Sequence, residues 1–136
     1  MGNLRLIALH TVDGTPPAGE RYAGLAGAAD AYIASGIVDR LADIGGQVEL
    51  VTEPSLDPSE LDADPIVNLG RLNAKIAADV VDAVQAKAAP VLLGGTCSHL
   101  IGMIAGMSLL GCLLFSTGTF APSSTVISNS LVAVLA

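Results

Sequence analysis

The sequence predicts an α/β protein, a three-layer α/β/α arrangement around a mainly parallel sheet. Three observations carry that expectation. Leu4–His10 (LRLIALH) is a short apolar run rich in Leu and Ile, as a buried strand requires. Between Asn68 and Ala88, apolar residues recur every four positions at Leu72, Ile76, Val80 and Val84, the spacing of one helix face. Val91-Leu92-Leu93 is again wholly apolar and runs into Gly94-Gly95. Strand, helix, strand, helix, strand in that order produces parallel strands joined by covering helices.

The intervening segments fill this outline. Thr11–Glu20 holds two glycines and the Pro16-Pro17 pair and reads as a loop. Ala26–Ser35 is Ala-rich and helix-prone, Gly36 interrupts it, and Ile37–Ile44 continues with Ile37, Leu41 and Ile44 on one face. Gly45-Gly46 supplies the stop, and Gln47–Thr52 (QVELVT) alternates as a strand does. Glu53–Pro65 carries three prolines and a run of carboxylates, so a solvated, flexible loop is expected there. In the following helix, Lys75 and Asp79 have the i,i+4 spacing of a helical ion pair. After the double glycine, Ser98–Leu110 is expected as a helix with Gly102 and Gly106 on one side. Gly111 separates it from Cys112–Phe115 (CLLF), a strand candidate.

Composition limits function. The chain has 136 residues, enough for one domain over 1–136. Hydrophobic residues at 51% exclude intrinsic disorder, because the apolar surface available for burial offsets the entropy of ordering. A net charge of −7 removes the electrostatic basis of nucleic-acid binding, and 3% aromatics leaves no stacking platform. Two cysteines, Cys97 and Cys112, are too few for a disulfide scaffold and read as reduced thiols of a cytoplasmic protein. All 6 basic and 13 acidic residues lie between Arg5 and Lys87, and positions 88–136 contain none. A soluble domain spreads charge over its surface, so this half is expected to be covered by something, embedded in lipid, or part of an incomplete protein.

Chemistry points to Ala89–Gly106, APVLLGGTCSHLIGMIAG. A buried strand ending in glycines turns the chain at the carboxyl edge of the sheet, where open α/β proteins place their sites. The side chains delivered there are Thr96, Cys97, Ser98 and His99. Cys and His both ligate transition metals, and a thiol beside an imidazole can act as a nucleophile. The plainer readings are a half-buried structural thiol at Cys97 and a hydrogen-bonded structural histidine at His99. His10 ends the first strand and reaches the same edge. The glycines form neither a dinucleotide fingerprint nor a phosphate loop.

This stretch resembles the ureohydrolase superfamily (arginase, agmatinase, formimidoylglutamase), whose members carry an apolar strand, Gly-Gly-Asp-His-Ser, and then a Gly-containing helix. The likeness runs back through LNAKIAADVVDAVQAKAAP and forward through LLFSTGTFAPSSTVISNSLVAVLA, which is similar to the family's Asp-Ala-His-Gly-Asp-Phe segment. It covers most of this chain and roughly the N-terminal half of a typical member, so a partial arginase-like domain and a truncated or frame-altered chain are expected. The resemblance implies two manganese ions, a bridging hydroxide and hydrolysis of linear amidine or guanidino substrates.

Carried over position by position, Gly94, Gly95 and Ser98 match the first motif, Thr96 replaces its Asp and Cys97 its metal-binding His. In the second motif Ser116 stands for the first Asp, the His is lost within Thr117-Gly118, Thr119 replaces the last Asp, and Phe120 matches. The third motif, Asp-x-Asp, has no counterpart. Paired divalent cations need several carboxylates to offset their repulsion. Cys97 with His99 supplies at most two soft donors, and Ser116 and Thr119 are neutral, so no catalytic residue is assigned and a binuclear cluster is not expected.

Two other readings remain open. One is a non-catalytic subunit, a homo-oligomer or partner of another chain, docking through an uncovered sheet edge and the apolar C-terminal half. The other is membrane association, since residues 100–121 are uncharged and would measure about 33 Å as a helix. Gly111, the polar Ser116–Thr119 run and the lack of a flanking Lys or Arg speak against a span.

Overall fold

A computed structural model of the chain describes residues 2–11, 24–94 and 96–116, the last six as backbone. Three parallel strands form its sheet in the order β2-β1-β3: β1 (Asn3–Ala8), β2 (Gln47–Thr52) and β3 (Ala89–Leu93). The central strand is in register on both sides, Leu6 lying opposite Val51 and Val91, with one irregularity against β2 between Leu4 and Arg5. The linking helices are α1 (Ala28–Ala34), α2 (Ile37–Asp43) and α3 (Pro65–Gln85), and α4 (Leu100–Ser116) follows β3.

Strand alternation sorts the core into two halves. Leu4, Leu6 and Ala8 of β1, with Val91 and Leu93 of β3, face α1 and α2, meeting Ala29, Ile33, Ile37, Val38 and Leu41. Ile7, Leu9 and Leu92 face the other way, onto Leu72, Ile76 and Val80 of α3 and Met103 of α4. Helices therefore cover both faces of a parallel sheet, the three-layer α/β/α architecture the sequence predicts.

Local chemistry explains the boundaries. Helix α3 starts at Pro65, three residues earlier than the expected Asn68. The Asp64 carboxylate accepts the Ile66 N–H at 2.8 Å, and Pro65 occupies the first turn, where its missing N–H costs nothing. It ends before Pro90: Lys87 takes a left-handed φ of 61° and the Ala88 N–H caps the Ala83 carbonyl at 2.9 Å. The buried stripe runs Leu72, Ile76, Val80 and then Ala83 rather than Val84, because 3.6 residues per turn drifts off a strict four-residue repeat.

Four expectations are corrected. Ile44 is 63% exposed, since α2 stops at Asp43, and Val38 packs on the core beside Ile37 and Leu41. CLLF is not a strand: α4 passes through Gly111 without a break and carries Cys112–Phe115 as helix. Lys75 does not pair with Asp79; its ammonium reaches Glu60 Oε2 at 2.6 Å and the Ser55 carbonyl at 2.8 Å. The acidic segment is correspondingly no free loop. A 3-10 turn at Pro58–Glu60 is boxed by Asp57 and Glu60, Arg71 approaches Asp62 at 3.5 Å, and Asn68 bonds the Asp62 backbone in both directions at 2.7 and 2.9 Å.

The glycines of α4 serve packing. A Cβ on Gly102 would lie 2.7 Å from the Asn73 carbonyl oxygen, and one on Gly106 equally close to that of Ala77, so the two backbones meet where no side chain fits. Among the described residues no helix is long and apolar enough to cross a membrane.

Candidate functional site at the carboxyl edge of the sheet

Parallel strands deliver their C-terminal residues to one edge, so β1 presents His10 there, β2 presents Thr52 and Glu53, and β3 presents Gly94 and the turn after it. Gly94 is required by geometry. Its φ is +78°, and a Cβ would stand 3.0 Å from the Ala29 nitrogen and 3.1 Å from the Leu9 carbonyl oxygen. The chain then enters a 3-10 turn at Cys97–His99 that leads directly into α4.

That turn decides the fate of each candidate. His99 is fully buried, and its Nδ1 accepts the Thr96 backbone N–H at 3.1 Å while the His99 backbone N–H donates to the Thr96 carbonyl at 3.1 Å. It thus matches the hydrogen-bonded structural reading. Cys97 is a free, exposed thiol, which corrects the half-buried expectation: the turn aims its third residue inward and leaves its first outside. The Thr96 and Ser98 hydroxyls contact each other, and the Ser98 carbonyl accepts from Asn73 Nδ2 at 3.3 Å.

Ser116 lies elsewhere. Ser116 ends α4, whose seventeen residues place it about 24 Å along the axis from the turn that carries Cys97. Thr119 lies outside the described residues, as does Gly95. His10 is engaged separately, with Nδ1 3.4 Å from Asp30 Oδ2 of α1 and Nε2 3.9 Å from Glu53 Oε1 beyond β2. Neither carboxylate stood out in the sequence. Glu53 could have been found from topology, as the first residue past a parallel strand; Asp30 sits in an Ala-rich helix with no distinguishing pattern.

A second polar region flanks α3 on its β2 side, an open groove lined by Thr52, Glu53, Asp57, Lys75 and Asp79. The hydrogen bond from Lys75, with help from the Asp57 backbone N–H, holds the Glu60 carboxyl below the usual carboxylate range. Burial pushes Asp79 upward, against the opposing hydrogen bond from Thr52.

The donors present do not fit paired manganese ions. Hard divalent cations call for carboxylates, whereas the turn offers a thiol, two hydroxyls and an imidazole whose Nδ1 lone pair is already engaged. No group of three or more His, Cys, Asp or Glu side chains capable of holding a metal ion occurs among the described residues.

No family model and no curated protein sequence matches the chain. Solved structures do. Arginase from Bacillus subtilis superposes with a TM-score of 0.61 at 24% identity, over 76% of this chain and 32% of that one. A second arginase structure, from Bacillus subtilis subsp. subtilis str. 168, gives 0.60 at 24% identity, over 78% and 34%. The chain spans about a third of the length of these structures. It has an arginase-like fold, and at this identity the likeness is one of fold alone.

Proposed function

We propose that this chain is a ureohydrolase-like protein in which amidine hydrolysis has been lost. In the ancestral reaction two manganese ions would activate a hydroxide against a guanidino or amidino carbon of a small linear substrate. The observation that carries the reading is the separation of the positions inherited from that chemistry: Cys97 lies on the turn after β3, while Ser116 lies at the far end of α4. What remains at the edge suits a packing role, with His99 tying the turn to itself and Asn73 tying it to α3. A cytoplasmic, reduced setting is consistent with the accessible thiol of Cys97.

Manganese titration of the purified chain, followed by assay of urea or formamide release from linear amidines, tests the proposal. Sub-stoichiometric metal and no turnover above the metal-only rate are expected. Two tightly held ions per chain with turnover would overturn it.

A further inference from the structure

Residues 53–64, between β2 and α3, form neither strand nor α-helix and contain a single 3-10 turn, Pro58–Glu60. Both ends are fixed. Thr52 closes β2 with its hydroxyl on the Leu6 carbonyl at 3.4 Å, and Asp64 caps α3 through the Ile66 N–H. The chain between them lies along α3 as a strap. Among the described residues it has one backbone–backbone hydrogen bond of its own, from the Glu60 N–H to the Asp57 carbonyl at 2.8 Å. Leu56 is partly buried on the core cluster that includes Ile7, Leu9, Leu72 and Ile76, while Leu61 is exposed.

Side chains of α3 supply the rest of the hold. The Lys75 ammonium meets the Ser55 carbonyl and the Glu60 carboxylate, which belong to the outgoing and returning limbs of the strap. One cation therefore closes both limbs onto the helix. Arg71 contacts the Glu60 carbonyl and approaches Asp62, and Asn68 bonds the Asp62 backbone in both directions. Both basic residues of α3 are thus engaged by the strap.

Charge works against this closure. The strap carries Glu53, Asp57, Glu60, Asp62 and Asp64. Glu53 and Asp57 line one groove with Asp79 of α3, and Lys75 is the cation that lines it with them. Without that ammonium, like charges would oppose each other across the groove. Exposed ion pairs are weak ties, and a segment with few buried apolar contacts opens at a free energy below that of the whole domain.

We infer that the strap is a lid locked by Lys75: residues 53–64 open as a unit about Thr52 and Asp64 while the sheet and helices stay folded. Opening widens the groove and uncovers the seat of Leu56 on the core, beside the strand ends that carry His10 and Glu53.

Native-state amide hydrogen exchange on the full chain tests this. The Asp57, Glu60 and Asp62 amides are bonded to the Glu60 carboxylate, the Asp57 carbonyl and the Asn68 side chain. They should exchange together, faster than Ile76 in the middle of α3, and with little dependence on added denaturant, because the opening exposes little surface. Lys75→Gln removes a charged donor from both limbs and should speed these three amides about tenfold. Leu6 and Ile76 should keep their parent rates. Strap amides that exchange only as slowly as Ile76, that differ among themselves in denaturant dependence, or that keep their rates in Lys75→Gln would each overturn the inference. Should that variant also speed Ile76, the denaturant dependence measured on the unaltered chain decides.

Discussion

The Asn73 side chain accepts the backbone N–H of Gly102 at 2.8 Å and donates to the carbonyls of Leu69, at 3.0 Å, and Ser98, at 3.3 Å. One buried amide thereby fastens the turn after β3 and the first turn of α4 to α3, and it satisfies a helix N-terminal donor that has no partner within its own helix. Asn73→Ala removes the side-chain acceptor of the buried Gly102 N–H. A loss of about 1–3 kcal/mol in urea unfolding is expected, with the turn amides exchanging faster than the sheet. Unchanged stability would refute this clamp.

The contact between α3 and α4 depends on missing side chains. Gly106→Ala adds a methyl where Val80 Cβ and the Ala77 carbonyl oxygen already stand 2.7 Å away. Overpacking of this kind costs about 1–3 kcal/mol, against a helix-propensity gain of about 1 kcal/mol for replacing Gly. The net change should be a fall in the thermal midpoint. Gly70→Ala, where a Cβ meets nothing within 4 Å, should raise it.

Two carboxylates should give pH dependences of opposite sign. Glu60 is held below its ordinary value of 4.5 chiefly by Lys75, so its contribution is present above that value and disappears as the pH falls through the lower folded one. Glu60→Gln should flatten that acid limb of a stability–pH curve. Asp79 is raised above 3.8 by burial, so the folded state holds the proton longer and stability falls as the pH rises through the interval. Asp79→Asn should therefore equal or exceed the parent at neutral pH, with the difference vanishing below 3.8.

Cys97 is exposed in the folded chain, so a thiol reagent should modify it without denaturant. Peptide mapping after brief labelling checks this. Cys97→Ser should shift stability by no more than about 0.5 kcal/mol, as for a surface residue. Protection of Cys97 until unfolding would contradict the outward placement of the first residue of the turn.

Sequence periodicity alone determined the order of strands and helices, the parallel sheet, and the stripe Leu72, Ile76 and Val80, because burial on one side of a helix or strand writes its period into the residues. The strand–glycine–turn that positions Thr96 to His99 was legible for the same reason. Relations between distant segments were decided only by the tertiary structure. Lys75 bonds Glu60 because the folded chain brings Pro58–Glu60 onto α3, a proximity that helical spacing cannot anticipate. Cys112–Phe115 is apolar enough for either a strand or a buried helix, and composition carries no period to choose between them. Whether His10 meets Cys97 or a carboxylate likewise depended on where α1 and the end of β2 came to rest, and they brought Asp30 and Glu53 to the imidazole.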